Sequence, residues 1–133
     1  MFDEESLDFL LGTDPAFVKV ACRPHLYDLL GKVPDNVLRC VSVGNDLDFR
    51  MMEEAYPYSL IMCCVADYPA QFEKYGKFSN EFLKAGISDH TEDWRLYKKY
   101  EPEVYECHYR LPDSTGPDAE PFERLPSQVS QIL

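Results

Sequence analysis

Three observations predict an α+β or small α/β domain with roughly three strands, three to five short helices and an extended C-terminal tail. Two apolar, β-branched stretches, 37–43 and 58–65, lie between turn-forming clusters. Aromatic and aliphatic residues recur at helical spacing through 69–85. After Leu111 the chain becomes proline-rich and acidic, the composition of an extended segment. A chain of 133 residues suits one core, and burial of roughly two-thirds of its unfolded surface stabilises such a core without disulfides. The expected boundaries are 1–111 for the globular domain and 112–133 for the tail.

Residues 1–12 set Asp3, Glu4, Glu5 and Asp8 among Phe2, Leu7, Phe9, Leu10 and Leu11. Acids favour the N-terminal end of a helix and Gly12 suits its end, so a short N-terminal helix is expected. Two roles are open to it: it closes the core, or it presents an acidic and apolar face to a partner's groove. Residues 14–22 read two ways, because Asp14-Pro15 resembles a helix start while Val18-Lys19-Val20 alternates like a strand. Residues 25–30 place Leu26, Leu29 and Leu30 on one helical face before Gly31.

The stretch 37–43 is expected as a strand, followed by a helix over 46–55 with Asp46 as its cap and Pro57 as its stop. Residues 58–65 are apolar at nearly every position, the pattern of a central strand covered on both faces. In 69–85, Phe72, Tyr75, Phe78, Phe82 and Leu83 form an apolar stripe that belongs in a core. Gly76 weakens a single helix there, and Ser79 offers a second start, with Gly86 as the stop. Residues 91–100 carry Thr91 as a cap, acids in the first turn and Lys98 and Lys99 in the last, which favours a helix. Alternation around Trp94 and Leu96 leaves a hairpin into 104–111 open. In that last strand Tyr105, Cys107, Tyr109 and Leu111 share one face, with Glu106, His108 and Arg110 on a wet one. The tail holds four of the ten prolines and one basic residue, Arg124.

Charge and cysteine usage bound the function. The formal charge is −11, from 24 acids against 13 Lys and Arg. Such a surface repels phosphate backbones and anionic lipid, so neither direct nucleic-acid binding nor membrane association is expected. Two readings of the acidity are a solvating surface and a footprint for a basic protein partner. Five cysteines, an odd number, sit mostly in apolar runs. Reduced thiols and an intracellular location, cytoplasmic or nuclear, are therefore expected.

Motifs for chemistry are sparse. Cys22-x-x-His25 is the one close Cys/His pair with metal-ligand spacing, and no second pair completes a tetrahedral site, so no metal and no cofactor are expected. Cys107-His108 puts a thiol beside an imidazole in sequence but on opposite faces of a strand. The cluster Asp89-His90 with Glu92-Asp93 reads as a loop leading into a helix, and it lacks the glycine and acid spacing of a calcium loop. There is no Gly-rich phosphate loop and no nucleophile elbow. These absences favour a non-enzymatic, regulatory interaction module, an acidic adaptor or inhibitor covering a basic or apolar surface of a partner protein. Its expected contacts are Phe2, Leu7, Phe9 and Leu10 at the front and Phe122, Ile132 and Leu133 at the back, with no catalytic residue assigned. Two alternatives stand beside it: a thiol- and histidine-dependent hydrolase or transferase built on Cys22/His25 or Cys107/His108, and a structural subunit of an oligomeric complex.

Overall fold

The computed structural model describes residues 3–120, 122–130 and 132. Phe17–Val20, Leu38–Val43, Leu60–Cys64, Gly86–Asp89 and Val104–Cys107 form strands β1 to β5. Neighbouring strands are all parallel, and their order in space is their order in the chain. The domain is thus α/β-like with five strands, where the sequence predicts roughly three. β2, β3 and β5 answer to the expected strands, and the ambiguous segment 14–22 resolves as β1.

β4 is the strand that sequence pattern misses. Its residues, Gly-Ile-Ser-Asp, carry a single apolar side chain, and Gly86 reads as a helix stop. Gly86 is instead where β4 approaches β3: a Cβ there would meet the Ile61 carbonyl oxygen at 2.4 Å and Met62 Cγ at 3.0 Å. Only a residue without a side chain fits.

Parallel neighbours need a crossover, and right-handed crossovers between successive strands put the connections on one face of the sheet. The helical elements are α1 (Glu4–Leu11), a 3-10 helix at Pro24–Lys32, α2 (Asp46–Ala55), a 3-10 helix at Phe72–Lys77, α3 (Asn80–Ala85), α4 (Arg95–Tyr100), a 3-10 turn at Gly116–Ala119 and α5 (Pro126–Val129). Alternate side chains of the strands, Val20, Val41, Val43, Ile61, Cys63 and Ile87, pack with Leu30, Phe49, Tyr75, Phe82, Leu83 and Leu96 of these elements in one buried core. Leu7 joins Val18, Val33 and Val37 in a smaller cluster that seats α1.

Several local expectations change in detail. Residues 25–30 lie in a 3-10 helix, and 69–85 divides into a 3-10 helix and α3, with Ser79 at the N-cap of the latter. Asn45 caps α2 by accepting from the Asp48 N–H at 2.9 Å, while Asp46 accepts from the Ser79 N–H at 3.1 Å and ties α2 to α3. Thr91 does not cap α4, whose N-cap is Trp94. The hairpin alternative falls away, because α4 carries the chain across so that β5 runs parallel to β4.

The sheet is curled toward its helix-free face. Flat, five strands would set their edges about 19 Å apart, yet Lys19 Nζ on β1 donates to Glu106 Oε1 on β5 at 2.6 Å. Curl, rather than a second helix layer, is what buries the helix-free side of β3 at Met62 and Cys64. This arc without strand-order reversal has the geometry of a barrel wall rather than a doubly wound sheet.

Within 112–133, residues 122–124 return to the sheet. The Arg124 N–H donates to the His108 carbonyl at 2.8 Å, and the Arg110 N–H donates to the Arg124 carbonyl at 2.9 Å. The Arg124 side chain is 1% exposed. Its guanidinium donates to the Phe122 and Asp93 carbonyls, lies 4.8 Å from the centre of the Trp94 ring and stands 3.6 Å from Asp89 Oδ2. Asp89 is itself fully buried and accepts from the Thr91 N–H and the Tyr105 hydroxyl. Among the described residues no helix is long and apolar enough to cross a membrane.

Candidate functional site

The concave face holds two cavities, and the Lys19–Glu106 bridge lines both. Toward the amino ends of the strands, a cavity of about 420 Å³ is bounded by apolar side chains such as Phe17, Leu38, Leu60, Met62 and Val104. Toward the carboxyl ends, one of about 670 Å³ is bounded by Cys22, Arg23, Ser42, Cys64, Tyr68, Ser88, His90 and His108. Open α/β sheets bind ligands outside the carboxyl ends of their strands, where each strand delivers one loop. All five strands contribute to this upper cavity.

The alternation of β-structure explains which residues arrive there. Cys64, Ser88 and Glu106 are register partners across β3, β4 and β5. His90 and His108 follow two residues after Ser88 and Glu106 and line the same cavity. The two rings stand edge to face with centroids 5.2 Å apart. Tyr68 stacks on His90 at 4.2 Å, and Phe122 meets both Tyr68 and His108. Glu123, also buried, places a carboxylate oxygen 3.8 Å from His108 Nδ1.

His90 has a defined protonation state. It is 4% exposed and its Nδ1 lies 2.8 Å from the Val65 carbonyl, which only accepts, so Nδ1 carries the proton and Nε2 keeps its lone pair. Burial holds the imidazole below its usual value of 6.5, which keeps it neutral at pH 7. A neutral ring with a fixed tautomer is a ready proton acceptor.

Two thiols meet in the same cavity. A hydrogen bond from Cys64 is the main cause that lowers Cys22 to about 7, against an opposing effect of burial, with further help from the Tyr27 hydroxyl and the charge of Lys77. Cys64 is pushed upward by the same hydrogen bond and by burial. Burial raises Cys40, Cys63 and Cys107. Cys22 is thus the one cysteine of the five whose thiolate is favoured.

Two polar atoms at the cavity have no hydrogen-bond partner, Ser42 Oγ and Glu106 Oε2. Ser42 is 1% exposed. No group of three or more His, Cys, Asp and Glu side chains among the described residues is arranged to hold a metal ion.

The expected contact residues are scattered. Leu7 and Phe122 are buried, Leu10 is half-buried, Phe9 is 74% exposed on α1, and Ile132 is half-buried. Phe2 and Leu133 lie outside the described residues. The thiol–imidazole pairs suggested by sequence proximity do not form the site. His25 is exposed on its 3-10 helix, and Cys107 lines the lower cavity, while Cys22 meets Cys64 and His108 meets His90. The signal in the sequence was the repeated polar-x-His spacing of Ser88-x-His90 and Glu106-x-His108, which puts each pair on one strand face.

No family model, no curated protein and no solved structure matches the chain.

Proposed function

We propose that this chain binds a small, polar, anionic metabolite in the upper cavity and acts on it by acid–base chemistry, with His90 as the proton acceptor. The observation that supports this reading is the convergence of side chains from all five strands on one cavity at the strands' carboxyl ends. Its charge runs against that of the molecule: two cations, Lys19 and Arg23, and two of the three histidines line it with one acid, Glu106, in a chain with 24 acids. Such a concentration of donors favours a carboxylate or phosphate. Ser42 Oγ and Glu106 Oε2 are open to hydrogen bonds from a ligand.

The test is a thermal-shift screen with inorganic phosphate, acetate, malonate and citrate, repeated on Arg23→Ala, His90→Gln and Leu38→Ser. Stabilisation by at least one anion, lost in Arg23→Ala and kept in Leu38→Ser, supports the reading. No stabilisation by any anion, or equal stabilisation of all variants, contradicts it.

A second reading, the acidic protein-binding module, draws support from Phe9, which is 74% exposed on α1 among Asp3, Glu4, Glu5 and Asp8. A basic partner captured by the wild-type chain and released by Phe9→Ser or by raised salt supports it. Binding insensitive to both counts against it.

A further inference from the structure

Cys22 and Cys64 come from chain segments far apart in sequence, the loop after β1 and the end of β3, and meet across Ser42 of β2 at the upper cavity. Cys22 Sγ lies 3.5 Å from the position a Cβ on Gly44 would take, and Gly44 and Cys64 directly follow the register partners Val43 and Cys63, so the adjacent strands set Cys22 beside Cys64. Cys64 is 3% exposed and Cys22 is half-buried, and both line the cavity, so a small molecule entering it meets both residues. We propose that Cys22 and Cys64 are a reversible redox pair, in which Cys22 reacts with a small hydroperoxide entering the cavity and Cys64 resolves the product to a disulfide.

The chemistry balances in two steps. The Cys22 thiolate attacks one oxygen of hydrogen peroxide, the O–O bond breaks, an S–O bond forms, and hydroxide leaves to take a proton from solvent. Cys22 is then a sulfenic acid and the peroxide has been reduced. The Cys64 sulfur next attacks Cys22 sulfur, the S–O bond breaks, and the departing oxygen takes the Cys64 proton to leave as water. A dithiol returns the pair to its starting state by exchange.

Each neighbour suits its part. The hydrogen bond from Cys64 and the field of Lys77 favour the thiolate on Cys22, the attacking species. Cys22 and burial push the Cys64 thiol up, which keeps the resolving sulfur protonated until Cys22 is oxidised, and Ser88, its register partner on β4, acts in the opposite direction. Gly44 leaves Cys22 room, since even a Cβ there would stand 3.5 Å from Sγ. Cys63, next in sequence to Cys64, points into the core on the other face of β3 and is pushed up to about 12 by burial, so it does not compete.

The experiment treats the folded full-length chain with one equivalent of hydrogen peroxide and maps the products by peptide mass spectrometry. The expected result is a single Cys22–Cys64 link, free thiols falling from five to three, and full recovery with dithiothreitol. Before oxidation, iodoacetamide at pH 7 should label Cys22 at least about tenfold faster than Cys40, Cys63 or Cys107. In Cys64→Ala, Cys22 should be captured as a sulfenic acid by a 1,3-dione probe. A link between any other pair, a Cys22 sulfinic acid with Cys64 still reduced, or equal labelling of all thiols overturns the proposal. The wild-type map decides the matter if the variant does not fold, and no step requires the anion of the preceding section.

Discussion

The two cavities of the concave face are built by the same curled sheet and separated by one ion pair, yet their linings are opposite in kind. The lower is walled by Phe17, Leu38, Leu60, Met62 and Val104, which need nothing but exclusion from water. The upper gathers hydroxyls, thiols, imidazoles and cations. A buried polar group without a partner costs on the order of 1–3 kcal/mol, and Ser42 Oγ stands in that condition beside the cavity. The apolar wall of the lower chamber, where Phe17 and Leu38 stay partly exposed, asks for no hydrogen bond. The upper one carries a cost to the fold that a bound ligand's hydrogen bonds would offset.

The strongest way to break this contrast is to detach the segment that braces the upper end. Arg124→Met leaves Asp89 buried without its cation and removes the donors to Phe122 and Asp93. A loss of about 3–5 kcal/mol is expected in urea unfolding, with 122–124 becoming susceptible to proteolysis. Retention of wild-type stability would mean that the tail is not a brace. Gly86→Ala, which drives a Cβ into the β3 backbone, should cost about 1–3 kcal/mol and reach both chambers, the lower through Met62, which the Cβ crowds, and the upper through Ser88 on the same strand.

Acidification separates the chambers. The folded value of His90 is depressed below 6.5 by burial, so the unfolded chain takes up the proton first. The stability due to the neutral ring is complete above 6.5 and is lost as pH falls below it. Urea midpoints measured from pH 7.5 to 5 should fall less steeply in His90→Gln than in the wild type, while Leu38→Ser should track the wild type. Parallel curves for wild type and His90→Gln would contradict the assignment. The smallest effect is expected from Ser42→Ala, which removes a buried unpartnered hydroxyl: stability should rise by about 1 kcal/mol, with weaker anion binding in the thermal-shift screen.

What the sequence made legible was whatever rested on local pattern. β2, β3, α1 and α2 follow from β-branched runs, caps and turn residues, and the core role of Phe72, Tyr75, Phe82 and Leu83 follows from their spacing. β4 was hidden because its stability comes from neighbours: Gly86 and Ser88 are suited to close packing between β3 and β5 rather than to strand propensity. The site was hidden for a related reason. Cys22 with Cys64 and His90 with His108 are brought together by parallel strand order and curl, and a chain reading that pairs cysteines and histidines by adjacency selects Cys22/His25 and Cys107/His108 instead. Arg124, the one basic residue of the tail, was visible in composition, but its burial against Asp89 depends on the chain returning to β5.

The most direct test of the upper cavity as a ligand site is a long-range proton–nitrogen spectrum of the three histidine rings at pH 7, recorded while the anion selected by the thermal-shift screen is titrated in. The account predicts His90 as a neutral ring protonated at Nδ1, with the signals of His90 and His108 moving together and saturating while His25 stays in place. A His90 ring protonated at Nε2 or charged, or anion-induced shifts no larger at His90 and His108 than at His25, would contradict it.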